Sequence, residues 1–402
     1  MEPRPTPIPE TFIPRRSYDT SKLYNGLKIY SRLETFPGGI APEERTVDSS
    51  FSVDISMKVK VPEAMTALNQ FSEVNSSLPK SFPALSELLK TAKVSKYYHG
   101  LYALKVKSLQ QDLRKLDQVL SRHNFFDCGT ILELTGGAAK RKALLVQGDM
   151  DVVADGSDAD RFLEVDGSSM HYQPFTSYRW NKRTNVPSQF LPEKQARLEA
   201  AQKELAGPGL LPARQQTLRD IIATTKLEIA DLHTYSFLIS KADPFIVLPG
   251  FLLRDKTLPY HPRIGDYAVV FFQDKIYPAI FGDVGPSVKV GEASLRLATA
   301  VNASATAYRR PSNNLDVTYL VFPGTADEPF GPPDYEKWRS RCAQLLTELG
   351  NGTAPGVELA YFDDILKPPP TPTPAPSPSV MPSLSPSSSD MAIPTPKPLP
   401  TE

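Results

Sequence analysis

Cysteine is nearly absent from this chain. Cys128 and Cys342 are the only two in 402 residues, so no disulfide framework can hold the fold and a hydrophobic core must do so, with one long-range bridge as the single covalent possibility. Histidine is scarce as well. His99, His123, His171, His233 and His261 are scattered without ligand spacing, and neither CxxC nor HExxH occurs, so no metal and no cofactor are expected. No sign of charge is in excess: Lys plus Arg and Asp plus Glu number 45 each. There is thus no overall field to gather nucleic acid, and no nucleic-acid motif stands out. No stretch approaches the roughly 18 apolar residues of a membrane span. The opening MEPRPTPIPE has neither the basic nor the apolar region of a signal peptide.

Proline is abundant, and its placement divides the chain. Residues 1–15 hold five prolines, and the stretch from Lys367 onward reads PPPTPTPAPSPSVMPSLSPSSSD. Both ends, 1–15 and 367–402, are expected to be extended and solvated, without a core. Such spacers are typical of secreted or envelope proteins, which is the compartment expected here, with the leader lying outside this sequence. Between the ends, 40% hydrophobic and 22% charged residues suit a folded globular chain. Residues 16–120 read as an accessory α+β subdomain. FSVDISMKVKV at 51–61 alternates as a half-buried strand should, and Leu109, Leu113, Leu116 and Leu120 mark one face of a helix over about 101–123.

From residue 131 the texture changes to short apolar runs punctuated by Gly, Pro and Asp: KALLVQGD, PFIVLPG, DYAVVFFQDKIYPAIFGD and DVTYLVFPG. Their β-branched and aromatic content predicts strands of an antiparallel or mixed barrel. One segment differs. Residues 192–232 read as two helices around Gly207-Pro208-Gly209, with Leu198 and Leu205 on the first and Leu218, Ile221, Ile222 and Ile229 on the second. This predicts a helical hairpin inserted in a loop of a domain spanning 121–350.

The segment AIFGDVGPSVKVGEASLRLA at 279–298 places two carboxylates near each other. A strand is expected to end at Gly282, Asp283 to begin a loop bracketed by Gly285 and Gly291, and Glu292 to open an apolar-periodic segment. Glycosidic hydrolysis needs such a pair, one group to protonate the leaving oxygen and one to activate water or attack carbon. Acidic residues at the ends of a glycine loop are more often turn residues or helix caps, so spacing alone does not decide. The surrounding words do. LPYHPRIGDYAVVFFQDKIYPAIFGDVGPSVKVGEASLRLATA resembles the hallmark of glycoside hydrolase family 75, the fungal-type endo-chitosanases. GDMDVVADG at 148–156, DLHTYSFLISKADPFIVLPG and VTYLVFPG resemble further parts of that catalytic domain. The likeness covers about 120–330 in pieces, and the family's multiple cysteines are missing apart from Cys128.

The resemblance implies that Asp283 and Glu292 are the catalytic pair and that the reaction is endo-cleavage of chitosan at β-1,4 linkages with inversion. The partner expected is the polysaccharide substrate, with no nucleic acid and no membrane span, and the protein is expected to be a monomer. Glu292 is read as the better candidate for general acid, because a carboxyl group at the start of an apolar segment can be partly desolvated, with Asp283 holding the water; the reverse assignment is open. Asp283-Val-Gly-Pro also resembles the Asp-x-Gly-Pro signature of double-psi β-barrels in lytic transglycosylases of the rare lipoprotein A type. The expected fold is therefore mainly β, α+β overall: a double-psi-like six-stranded barrel with the helical insertion and the accessory amino-terminal subdomain.

Asp149, Asp151, Asp155, Asp158 and Asp160 crowd into twelve positions. An EF-hand fits poorly, since Val153 and Phe162 fall on ligand positions. Solvated turn residues are one reading and a negative subsite for cationic glucosamine the other, with Asp149 and Asp151 as its candidates. In HYQPFTSYRW, Tyr172, Tyr178 and Trp180 are candidate stacking platforms for sugar rings, Tyr178 and Trp180 foremost, although core packing is the commoner fate of such residues. Two other readings accompany this one: a peptidoglycan-cleaving barrel enzyme relying on Asp283, and a non-catalytic glycan-binding envelope module.

Overall fold

The structure, a computed structural model, describes residues 27–37, 49–59, 63–112, 127–162 and 172–366. The proline-rich ends expected at 1–15 and 367–402 lie outside the described residues, as do Val61 and the expected helix positions Leu113, Leu116 and Leu120. In chain order, strands β1 (Leu27–Pro37) and β2 (Ser49–Val59) form an antiparallel ribbon. Helices α1 (Leu68–Val74), α2 (Leu78–Ser81) and α3 (Leu85–Leu89), the short strand β3 (Lys93–Val94) and helix α4 (Lys96–Asp112) follow. Strands β4 (Cys128–Gly136) and β5 (Arg141–Val153) come next.

The inserted hairpin, expected at 192–232, is present as α5 (Leu191–Leu205) and α6 (Pro212–Thr234). It leaves and returns through the paired strands β6 (Arg179–Asn181) and β7 (Tyr235–Phe237). The remaining elements are β8 (Phe245–Pro249), β9 (Tyr267–Phe272), β10 (Lys275–Gly285), β11 (Glu292–Ser294), α7 (Leu295–Val301), β12 (Ser312–Val321) and α8 (Tyr335–Leu349). Among the described residues no helix is long and apolar enough to cross a membrane.

Six strands close a barrel in the order β11, β8, β10, β9, β12, β5 and back to β11. The β8/β10 and β5/β11 pairs are parallel and the other pairs antiparallel. Closure removes sheet edges that would otherwise expose unpaired N–H and C=O groups. Strand β5 makes this possible by its length: residues near its start pair with β4, while Asp151, Val152 and Val153 pair with β11. All eight residues from Ala143 to Met150 are buried, because helices cover the outer face while side chains fill the inner one. Helix α8 supplies part of that cover. Its buried residues are Tyr335, Trp338, Cys342, Leu345, Leu346 and Leu349, at the three- and four-residue steps of one helical face.

The accessory segment shares this core instead of forming its own. Phe71, Leu78, Leu85, Tyr97, Tyr98 and Leu101 belong to the same buried cluster as the barrel residues, and β3 extends the sheet by pairing with β4. The possible disulfide is not formed: Cys128 and Cys342 are both free and buried. Burial pushes the Cys342 thiol up to about 12.

Candidate active site

Asp283 and Glu292 stand in one row across the barrel wall. Strand β10 continues three residues beyond the expected end at Gly282, because Asp283, Val284 and Gly285 pair with Val247, Leu248 and Pro249 of β8. On its other edge Val247 pairs with Glu292 of β11, and Glu292 pairs in turn with Asp151 of β5. The row thus runs Asp283, Val247, Glu292, Asp151. Glu292 lies in a three-residue strand just before the apolar-periodic helix α7, which Ser294 caps by accepting the Leu297 N–H at 3.2 Å.

Two glycines make the row possible. Gly291 has φ +79°, and a Cβ there would lie 2.3 Å from the Asp149 carbonyl oxygen; only glycine combines that backbone with that approach. A Cβ on Gly285 would lie 2.5 Å from Glu292 Oε2. Residues two apart on a strand share a face, so the Glu292 carboxylate lies over the face of β10 that carries Asp283.

The two carboxylates have different surroundings. Asp283 Oδ1 accepts from the Ser177 N–H at 2.8 Å, the Ser177 hydroxyl at 2.7 Å and the Val284 N–H at 2.8 Å. No described cation pairs with Asp283, and burial raises its pKa against the pull of those donors. Glu292 is 6% exposed, and its Oε1 meets the Lys289 ammonium at 2.5 Å. Lys289 also reaches Asp151 Oδ2 at 2.8 Å. Burial alone would lower the lysine's pKa, but Glu292 and Asp151 hold it above its usual value.

The Asp-rich segment divides its labour. Asp149 is fully buried, and its Oδ2 lies 3.1 Å from Arg310, which also reaches Asp151 Oδ2 at 3.1 Å. That burial corrects the expectation of Asp149 as a subsite: its carboxylate is out of a polymer's reach. Asp158 and Asp243 clasp Arg161, and Asp160 accepts from the Arg183 and Thr184 N–H groups. Asp151 stays in the row.

Asp155 is the one sequence reasoning passed over. Its Oδ1 accepts from the Gln173 N–H at 2.9 Å, four residues before Ser177 meets Asp283. One short segment therefore touches both carboxylates. Burial, opposed by the Gln173 N–H and reinforced by the negative charges of Asp283 and Glu292, pushes Asp155 up to about 6.

The aromatic expectations need correction. Tyr178 and Trp180 are 6% and 4% exposed. Tyr178 stacks on Phe330 with centroids 4.6 Å apart and donates to the Gly331 carbonyl at 3.0 Å, while the Arg161 guanidinium covers Trp180. Neither offers a flat face to a sugar. Tyr172 is stacked on Phe190. The remaining partners missed in the sequence are Lys289, Ser177 and Arg310. Lys289 had a local signal, three residues before Glu292; the other two come from over a hundred residues away and had none.

No curated protein matches the chain. The model of the family described as fungal chitosanase of glycosyl hydrolase group 75 matches residues 150–351, half of the chain and the whole of the row from Asp283 to Asp151. With that match laid over this barrel, the chain belongs to glycosyl hydrolase group 75 and is a glycoside hydrolase.

Proposed function

We propose that this hydrolase cleaves β-1,4-glucosaminide bonds within chitosan, with inversion, using Asp283 and Glu292. The carrying observation is the row. Asp283 and Glu292 flank Val247 on neighbouring strands, and the Glu292 carboxylate reaches over Gly285, two residues along β10 from Asp283, a strand rise of about 7 Å. That separation favours the wide spacing of about 6.5–9.5 Å that leaves room for a water over the roughly 5–5.5 Å of retaining enzymes.

The surroundings favour the reverse of the roles read from the sequence. A general acid must hold its proton at working pH, and Asp283 has a raised pKa and no described cation beside it. Its Oδ1 is filled by three donors, which leaves Oδ2 to carry the proton to the leaving oxygen. Glu292 faces the Lys289 ammonium, which favours its ionised form as the base that draws a proton from water. Bond cleavage sends the electron pair to the protonated leaving oxygen, and the water oxygen takes the opposite face of the anomeric carbon. Asp151 and Asp155 replace Asp149 as the carboxylates offered to glucosamine ammonium groups. A polymer substrate of this kind suits an enzyme that works outside the cell.

The test is reducing-end release from soluble chitosan by the wild type, Asp283→Asn and Glu292→Gln, with NMR reading of the anomer first formed. Both variants are expected to lose roughly a thousandfold or more. A chito-oligosaccharide with a dinitrophenolate leaving group needs no proton, so it should restore turnover to Asp283→Asn and not to Glu292→Gln. Restoration in the other variant would invert the roles, and a wild type inert on chitosan would sink the substrate.

A further inference from the structure

The family match begins at residue 150, yet the loop that brings Lys289 to Glu292 is held from before it. Lys105 of α4 is 1% exposed. Its ammonium lies 2.8 Å from Asp127 Oδ1 and donates to the Val288 carbonyl at 2.9 Å. Asp127 is fully buried, and its Oδ2 accepts from the Val290 N–H at 3.1 Å. One buried ion pair therefore fastens the peptide on both sides of Lys289. From between these two anchors the Lys289 side chain reaches Glu292 and Asp151.

A buried ion pair is weak evidence for a stabilising role, because well-packed apolar residues of similar volume often serve stability as well or better. Apolar residues could fill the space under the loop. They could not accept the Val290 N–H or donate to the Val288 carbonyl, and so could not fix where the loop's backbone sits. The neighbouring Pro286 and Ser287 are exposed, and on that side the Arg254 guanidinium donates to the Ser287 hydroxyl at 3.0 Å, a contact to a side chain that leaves the backbone of 288–290 to the buried pair.

We propose that Lys105 and Asp127 are positioning residues of the reaction: by fixing residues 288–290 they aim the Lys289 ammonium at Glu292, which makes the amino-terminal segment part of the active-site machinery. The proposal rests on the reading of Glu292 as one of the reacting carboxylates. Its physical content is that a reacting group misplaced by about 1 Å can cost about a hundredfold in rate.

The test uses the full chain carrying Lys105→Met together with Asp127→Leu, which removes both charges and strands neither. Hydrogen exchange at the Val290 amide should accelerate by at least about tenfold while barrel amides stay protected. On chitosan kcat should fall about 10- to 100-fold with KM within about twofold. Lys289→Met, which leaves the anchor in place, should show the same loss of kcat without the faster exchange, and it remains informative if the double variant fails to fold. A wild-type kcat in Lys289→Met, or in the folded double variant, overturns the proposal. So does unchanged Val290 exchange in the double variant. Glu292→Gln is assayed alongside: full activity there overturns the reading of the site and this proposal with it, whereas an inactive Glu292→Gln beside a fully active double variant overturns this proposal alone.

Discussion

Asp155 offers a measurement of the site's electrostatics that needs no substrate. Its carboxyl is pushed from 3.8 to about 6 by burial and by the negative charges of Asp283 and Glu292. At about 1.4 kcal/mol per pH unit, that rise corresponds to about 3 kcal/mol favouring the protonated form in the folded state. Asp155 is half-buried, so solvent screening reduces the recoverable part to about 1–2 kcal/mol.

The sign follows from linkage. A carboxyl whose folded pKa is raised contributes its full stability below the unfolded value, near 3.8, and loses it as pH rises through about 6. Asp155→Asn stays neutral at every pH, and its side-chain oxygen can still accept the Gln173 N–H. The variant should therefore match the wild type at about pH 3.5 and exceed it by about 1–2 kcal/mol at about pH 8, with the difference growing between about pH 4 and 7. Urea unfolding of both proteins across that range measures it, provided the m-values agree. A variant equal to or weaker than the wild type at the alkaline end would refute the placement of Asp155 against the two carboxylates.

Gly285→Ala would put a methyl group 2.5 Å from Glu292 Oε2; displacing that carboxylate should lower kcat about 10- to 100-fold, while the melting temperature, read by calorimetry, moves by less than about 3 °C. Arg161→Met should do the opposite kind of damage. It leaves the buried carboxylates of Asp158 and Asp243 without the guanidinium between them, and denaturant titration should show a loss of about 3–5 kcal/mol.

What could be read from the sequence depended on how local its cause was. Short apolar runs rich in β-branched and aromatic residues announced β5, β8, β9, β10 and β12, because each strand's two buried faces are written in consecutive residues. The hairpin of α5 and α6 was legible for the same reason, from apolar spacing around Gly207-Pro208-Gly209. Strand β11 was not: three residues cannot show a period, and Glu292–Ser294 is a strand only because β5 and β8 lie on either side. Helix α8 went unread although Tyr335, Trp338, Cys342, Leu345 and Leu349 carry a helical period. Asp283 and Glu292 were singled out as candidates through family likeness. The fates of Asp149, Tyr178 and Trp180 were not legible, because burial is decided by partners such as Arg310 and Phe330 that arrive from the other end of the domain.

The charges of the site form an alternating chain: Asp149, Arg310, Asp151, Lys289, Glu292. Each cation lies between two carboxylates, so each lowers the cost of keeping its neighbours ionised in the barrel wall. Asp155 and Asp283 stand outside the chain with no described cation, and burial raises the pKa of each. Among the described residues, five carboxylates against two cations leave a local excess of up to three negative charges on a protein whose 45 basic and 45 acidic residues cancel. Strand spacing of about 4.8 Å makes such a row shorter in its steps than the Debye length of about 8 Å at physiological salt. The attraction that the proposed substrate, a glucosamine polymer, would meet is therefore local. Salt should weaken its distant approach to the protein far less than it would for an enzyme that recruits by net charge; under the proposed roles, protonation of Asp155 and Asp283, rather than long-range steering, limits the pH range over which the row both binds an ammonium group and donates a proton.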